Sequence, residues 1–187
     1  RLVIEADPVA WRTDLVDYLD VVNEPSAAVD KFSRGSVLVV GGSSRFPGAP
    51  IMAARAAARA GAGYVTLAVP NAIVPIVQSH MLEIPVVGLP CDVDGVLTAE
   101  AAEKVAALAA HNSATLVGPG MRVAGGPVTC VNALLRTDCP LVVDADGLNC
   151  LARLTENNVC DFPELTRRDA PLILTPHRRE LGRLVGR

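Results

Sequence analysis

Four short segments of this chain carry residues whose types and spacing could do chemistry. In Leu141-Val142-Val143-Asp144-Ala145-Asp146-Gly147-Leu148-Asn149 a buried-looking apolar run ends in two carboxylates at i and i+2. In extended backbone that spacing puts Asp144 and Asp146 on one face. Paired carboxylates there suit a magnesium-bound water network or the orientation of a phosphate donor. The same two residues could instead cap the following helix and bind a backbone amide. A second apolar run, Leu172-Ile173-Leu174, leads through Thr175-Pro176 to His177 and Glu180. At a helix start these two, at i and i+3, share a face. With Thr175 as N-cap and Pro176 in the first turn, His177 is either a surface residue of a well-capped helix or an imidazole held at a helix's positive end. In the second case its neutral form can hydrogen-bond an amide or hydroxyl of a ligand.

The third segment is the glycine loop Gly41-Gly42-Ser43-Ser44-Arg45-Phe46-Pro47-Gly48-Ala49. Glycines let backbone approach a ligand closely, and N–H groups at the next helix start favour an anion or a polar carbonyl. The spacing fits neither the dinucleotide fingerprint nor the P-loop, and a tight ligand-free turn competes with a binding role. The fourth, Gly118-Pro119-Gly120, ends another strand. It reads either as a simple stop or, level with the other strand tips at a carboxyl end, as part of a shared site.

These segments need a scaffold that brings strand ends to one edge. From Gly35 the pattern is strand, loop, helix, repeated: strands at 36–40, 64–69, around 84–87, 114–117, 141–143 and 172–174. Helices follow from Pro50 to the Gly61 and Gly63 stop, from Asn71 to Ser79, from a Thr98 cap to about His111, and from Pro127 to near Arg136. This alternation predicts β-α-β units and a mainly parallel sheet with helices on both faces. Ligands of such sheets bind outside the carboxyl ends of the strands. Residues 1–30 read as an acidic lead-in of the same domain, with a helix over Asp14 to Leu19 and a turn at Asn23-Glu24-Pro25-Ser26.

Composition narrows the function classes. Half of the 187 residues are hydrophobic but only 3% are aromatic, which suits an aliphatic parallel-sheet core. The net charge of −3 recommends no nucleic-acid surface. Arg178, Arg179, Arg183 and Arg187 form either a phosphate patch or the solvent face of the last helix. No membrane-length apolar run or signal-peptide pattern is present. Five cysteines at 91, 130, 139, 150 and 160, without a C-x-x-C pair, fit neither a disulfide framework nor a zinc site. They read as reduced, mostly buried thiols of a cytoplasmic protein.

Taken in order, the motifs form a set. They are Asp30-Lys31-Phe32-Ser33-Arg34-Gly35, Val39-Val40-Gly41-Gly42-Ser43 with Pro47-Gly48-Ala49, and Ala60-Gly61-Ala62-Gly63-Tyr64-Val65-Thr66. After these come Val117-Gly118-Pro119-Gly120-Met121, the Asp144 segment and the His177 segment. Over residues 31–187 the chain resembles the ADP-dependent NAD(P)H-hydrate dehydratases, carbohydrate-kinase-like enzymes of the three-layer ribokinase-like fold. The resemblance implies repair of hydrated NADH or NADPH (NADHX, NADPHX). ADP (ATP in eukaryotes) with Mg2+ phosphorylates the ring hydroxyl, which then leaves as phosphate. It also implies that Ala49, Gly120 and His177 hold the hydrated dinucleotide. Glu180 would help organise the magnesium and phosphate side, with Asp144 a further member of that network. Partners implied are small-molecule nucleotides, a second copy of the chain in a symmetric oligomer, and a fused or separate epimerase.

Two departures accompany the resemblance. The family's first loop motif begins His-Lys-Gly, where this chain has Asp30-Lys31-Phe32. The family's lysine-glycine nucleotide segment and its Gly-x-Gly-Asp motif, whose Asp is the catalytic base, lie beyond the position of Arg187. The expectation is therefore the N-terminal two-thirds of a dehydratase domain, incomplete at its C-terminus, inactive alone and with one sheet edge exposed. Two other readings compete with it. One is a ribokinase-like kinase of a vitamin precursor, which would release a phosphorylated alcohol. The other is a non-catalytic dinucleotide-binding remnant.

Overall fold

A computed structural model describes Asp14, Val16, residues 34–156, Leu165 and residues 168–186. Apart from Asp14 and Val16, the lead-in helix and turn lie outside the described residues, as do the Asp30-Lys31-Phe32 segment, Cys160 and Arg187.

Among the described residues six strands form one all-parallel sheet: β1 (Ser36–Val40), β2 (Tyr64–Pro70), β3 (Val86–Leu89), β4 (Ala114–Val117), β5 (Leu141–Val143) and β6 (Leu172–Leu174). Their order is β3-β2-β1-β4-β5-β6. The chain runs outward from β1 to β3, then returns to the other side of β1 to build β4, β5 and β6. That reversal opens a crevice between the carboxyl ends of β1 and β4.

The helices described in full are α1 (Gly48–Arg59), α2 (Val74–Gln78, entered by a 3-10 turn at Asn71–Ile73), α3 (Ala101–Ala110), α4 (Gly125–Leu135), α5 (Asp146–Glu156) and α6 (Arg178–Leu184). Side-chain alternation along the strands sorts them into two layers. Leu38 and Val40 of β1 join Val117, Leu141 and Val143 in one cluster, covered by Val105 of α3, Leu134 of α4, Leu151 of α5 and Leu184 of α6. Val39 faces the other way, with Leu67 and Val69, under Ile51 and Ala54 of α1 and Val77 of α2. The result is the expected three-layer α/β arrangement.

Local expectations shift in three places. α1 and α4 each start two residues before the predicted proline, which occupies the third helical position in both; the first turn tolerates a missing N–H. β3 sits two residues later than predicted: Pro85 has no N–H to donate to the ladder and contributes only its carbonyl, which accepts from Leu67 N–H at the strand entrance. Thr98 does not cap α3 with its side chain: Glu100 is the cap residue, and the buried Thr98 hydroxyl has no hydrogen-bond partner. Among the described residues, no helix is long and apolar enough to cross a membrane.

Candidate active site at the strand tips

The loops that leave β1 and β4 are built as one unit. Gly118 N–H donates to Val40 O at 3.1 Å, Gly42 N–H donates to Pro119 O at 2.8 Å, and the Ser43 hydroxyl donates to Gly120 O at 2.8 Å. Ser43 is fully buried, a loop-holding role that its place in a Gly-Gly-Ser run could have signalled. Gly120 has φ 71°, and a Cβ there would stand 2.8 Å from Phe46 O and 3.2 Å from the Ala49 Cβ. Ala49 and Gly120, 71 residues apart, thus meet at the mouth of the β1/β4 crevice. Ala49 lies in the first turn of α1, whose cap residue Pro47 offers no side-chain hydrogen bond. The N–H groups of that turn therefore keep the anion-favouring character of an open helix start. On the same loop the Arg45 guanidinium lies 5.5 Å from the centre of the Phe46 ring.

At the next tip the structure corrects the same-face reading of the two aspartates. β5 ends at Val143, Ala145 adopts φ 50°, and Asp146 already begins α5. The segment is a left-handed turn, not extended backbone, so the i, i+2 rule does not apply. Asp144 Oδ1 accepts from the Thr175 hydroxyl at 2.8 Å, joining the β5 and β6 tips. Asp146 Oδ2 accepts from Arg122 N–H at 2.9 Å, joining the start of α5 to the β4 loop.

The third tip is also reorganised. Thr175 is committed to Asp144, so it does not cap α6, and Pro176 lies before the helix. His177 is the N-cap, its Nδ1 accepting from Arg179 N–H at 3.1 Å and Glu180 N–H at 3.3 Å. Glu180 reciprocates: Oε2 accepts from His177 N–H at 2.9 Å, and Oε1 lies 3.3 Å from Nε2. This is a capping box in which an imidazole replaces the usual hydroxyl. An Nδ1 that accepts two N–H groups leaves the proton of the neutral ring on Nε2. The His177 side chain is 62% exposed and that of Glu180 10%, so the ring edge is what a ligand would meet.

His177 does not touch the Ala49–Gly120 contact. Strand β5 intervenes between β4 and β6, and two inter-strand steps span roughly 10 Å, within the reach of a dinucleotide. Arg178 and Arg179 are exposed beside His177, whereas Arg183 turns back to Asn149 on α5. Among the described residues there is no group of three or more His, Cys, Asp or Glu side chains that could hold a metal ion. Mg2+ commonly takes one or two protein carboxylates and completes its shell with phosphates and water, and Asp144 at the strand tip fits that role. Glu180, with both oxygens engaged by His177, is not an open ligand.

A family model described as NAD(P)H-hydrate dehydratase, of the carbohydrate-kinase type, matches residues 37–187. The chain belongs to this family. It is 44% identical over 158 residues to a bifunctional NAD(P)H-hydrate repair enzyme of Salinibacter ruber, covering 83% of this chain and 28% of that one. It is 35% identical over 163 residues to an ADP-dependent (S)-NAD(P)H-hydrate dehydratase of Xanthomonas campestris, covering 87% and 52%. The chain thus spans between about a quarter and a half of the length of these curated relatives. Among solved structures it is similar to the Bacillus subtilis ADP/ATP-dependent NAD(P)H-hydrate dehydratase co-crystallised with ATP and Mg2+. The TM-score is 0.70 at 26% identity, over 91% of this chain and 54% of that one. A ribokinase-like superfamily protein of Enterococcus faecalis superposes with a TM-score of 0.71 at 20% identity, which shows the fold alone. The dehydratase family and the ribokinase-like fold stand as the sequence predicted.

Proposed function

We propose that residues 31–187 form the dinucleotide-holding part of a carbohydrate-kinase-like dehydratase that returns hydrated NADH or NADPH to the normal cofactor in the cytoplasm at the expense of ADP. The observation that carries this reading is the meeting of Ala49 and Gly120 at the β1/β4 crevice in a chain of this family. In this proposal the first turn of α1 and the Gly118–Gly120 backbone seat the hydrated dinucleotide. The exposed edge of His177, fixed in orientation by its cap, contacts the same ligand across the β5 tip. Glu180 acts through that cap on the phosphate side, and Asp144, already held by Thr175, faces the phosphoryl donor. Bound Mg2+ would supply charge neutralisation on transferring phosphate oxygens. The chain's own groups bind and orient, which is most of what phosphoryl transfer asks of a protein. The naming of relatives as bifunctional repair enzymes supports an epimerase as the partner activity. Assembly into a homo-oligomer is part of the same proposal.

Calorimetric titration with NADPH hydrate tests the seat directly. Ala49→Leu, which fills the space beside Gly120, is expected to weaken binding at least about tenfold, roughly 1.4 kcal/mol, while the thermal midpoint moves little. Equal affinity in the variant, or no binding by the parent chain, overturns the assignment. Products separate the reactions: free phosphate and NADPH for the dehydratase, a phosphorylated alcohol for a kinase.

A further inference from the structure

We propose that Asp146, Asn149 and Arg183 are positioning residues that set the Gly120 loop and the His177 helix start relative to one another. Arg122, two residues after Gly120, holds φ 63°, a left-handed conformation that strains a residue bearing a Cβ. Its N–H is taken by Asp146 Oδ2 at 2.9 Å. Strain of that kind persists where surrounding contacts over-determine it, and this carboxylate is such a contact.

The chain of contacts continues away from the loop. Asn149 lies one helical turn along α5 from Asp146, on the same face. Its Nδ2 is 3.5 Å from Asp146 Oδ1, the longest link, and its Oδ1 accepts from Arg183 Nη1 at 2.7 Å. A carboxylate can only accept and a guanidinium can only donate. The amide between them therefore has one orientation that satisfies both, and donation converges on the Asp146 carboxylate from α6 on one side and from the β4 loop on the other. Arg183 stands on the helix that His177 caps. The Asp144–Thr175 bond and the His177–Glu180 box use none of these three side chains. A simple staple between α5 and α6 would end at Asn149, but this one reaches a backbone N–H in the substrate loop.

The ligand named in the test rests on the function proposed above; the linkage itself does not. Amide spectra of the isotope-labelled, ligand-free chain come first. In Arg183→Ala, an exposed change, the Gly120 and Arg122 signals are expected to move although the substitution lies on α6. Shifts confined to α5 and α6 overturn the proposal. The second reading is affinity for NADPH hydrate, expected to fall about fivefold in Arg183→Ala and Asn149→Ala and to recover in Arg183→Lys, with Tm nearly constant. Moved amides with unchanged affinity overturn the positioning role. If the parent chain does not bind NADPH hydrate, the function reading fails instead, and the amide shifts alone decide the linkage.

Discussion

A methyl group on Gly118 would stand 1.8 Å from Asp144 O and 2.6 Å from Gly147 N, with φ at 126°. Both neighbours are backbone, so nothing yields cheaply. Gly118→Ala is expected to cost about 3 kcal/mol or more, read as a lower urea midpoint at unchanged slope; a loss under about 1 kcal/mol would contradict the packing described. The need for glycine here was visible in the Gly-Pro-Gly run, but its partner, the tip of the neighbouring strand, was not. The left-handed turn at Ala145 was not visible at all, because alanine does not announce positive φ as glycine or asparagine does. That one turn separates Asp144 from Asp146, and with them the paired-carboxylate reading. Thr175 and His177 show the same limit. Local order favours threonine as the cap, yet a carboxylate 31 residues away claims its hydroxyl, and the histidine takes over the helix start.

Helices α4 and α5 illustrate what an element contributes beyond its residues. They bring Cys130 and Cys150, each fully buried, into the larger core cluster. Burial pushes both thiols up from an ordinary value of 9.0 to about 12, and for Cys150 the Asp146 charge adds to it. Below about pH 9 both thiols are neutral in the folded and the unfolded chain, and their contribution to folding is fully present. Above that pH the unfolded chain releases protons that the folded chain keeps. Stability is therefore expected to fall by about 1.4 kcal/mol per thiol per pH unit until the folded values are reached. Urea midpoints from about pH 8 to about pH 11 measure this slope. Cys150→Ala should flatten it while lowering stability at the neutral end, and an unchanged slope would remove the thiols from the account. The elements themselves were largely readable. Apolar runs bounded by glycine and proline gave strand positions, and alanine-rich stretches gave helices. What moved was β3, by two residues, and helix starts, since a proline in the first turn marks the turn and not its first residue.

The strand order belongs to the whole molecule. β-α-β alternation gave a parallel sheet, but which strand lies beside which depends on pairings such as Val40 with Val117, which no local pattern carries. The order creates the crevice that places Ala49 against Gly120, so the site was legible as a list of tips and not as a geometry. It also leaves two edge strands with different protection. At β3, the ammonium of Lys104 on α3 donates to Gly88 O at 2.9 Å, and Asn71 packs against the same residue; covering an edge from a neighbouring element discourages pairing. Among the described strands β6 pairs only with β5. Ile173 in it is 55% exposed, with Leu181 and Val185 of α6 at 49% and 50%. A cavity of about 450 Å³ runs beside it, lined by Leu165, Leu172 and Leu174 together with the charged Arg168 and Asp169. An apolar edge of this kind is a template for a second copy. Sedimentation is expected to show association that grows with concentration, and Ile173→Lys should shift the midpoint at least about tenfold toward monomer. Because Ile173 is more than half exposed, the substitution should leave the urea midpoint nearly unchanged, separating loss of association from loss of folding. A parent chain that stays monomeric at all concentrations would overturn the reading of β6 as a template for a second copy.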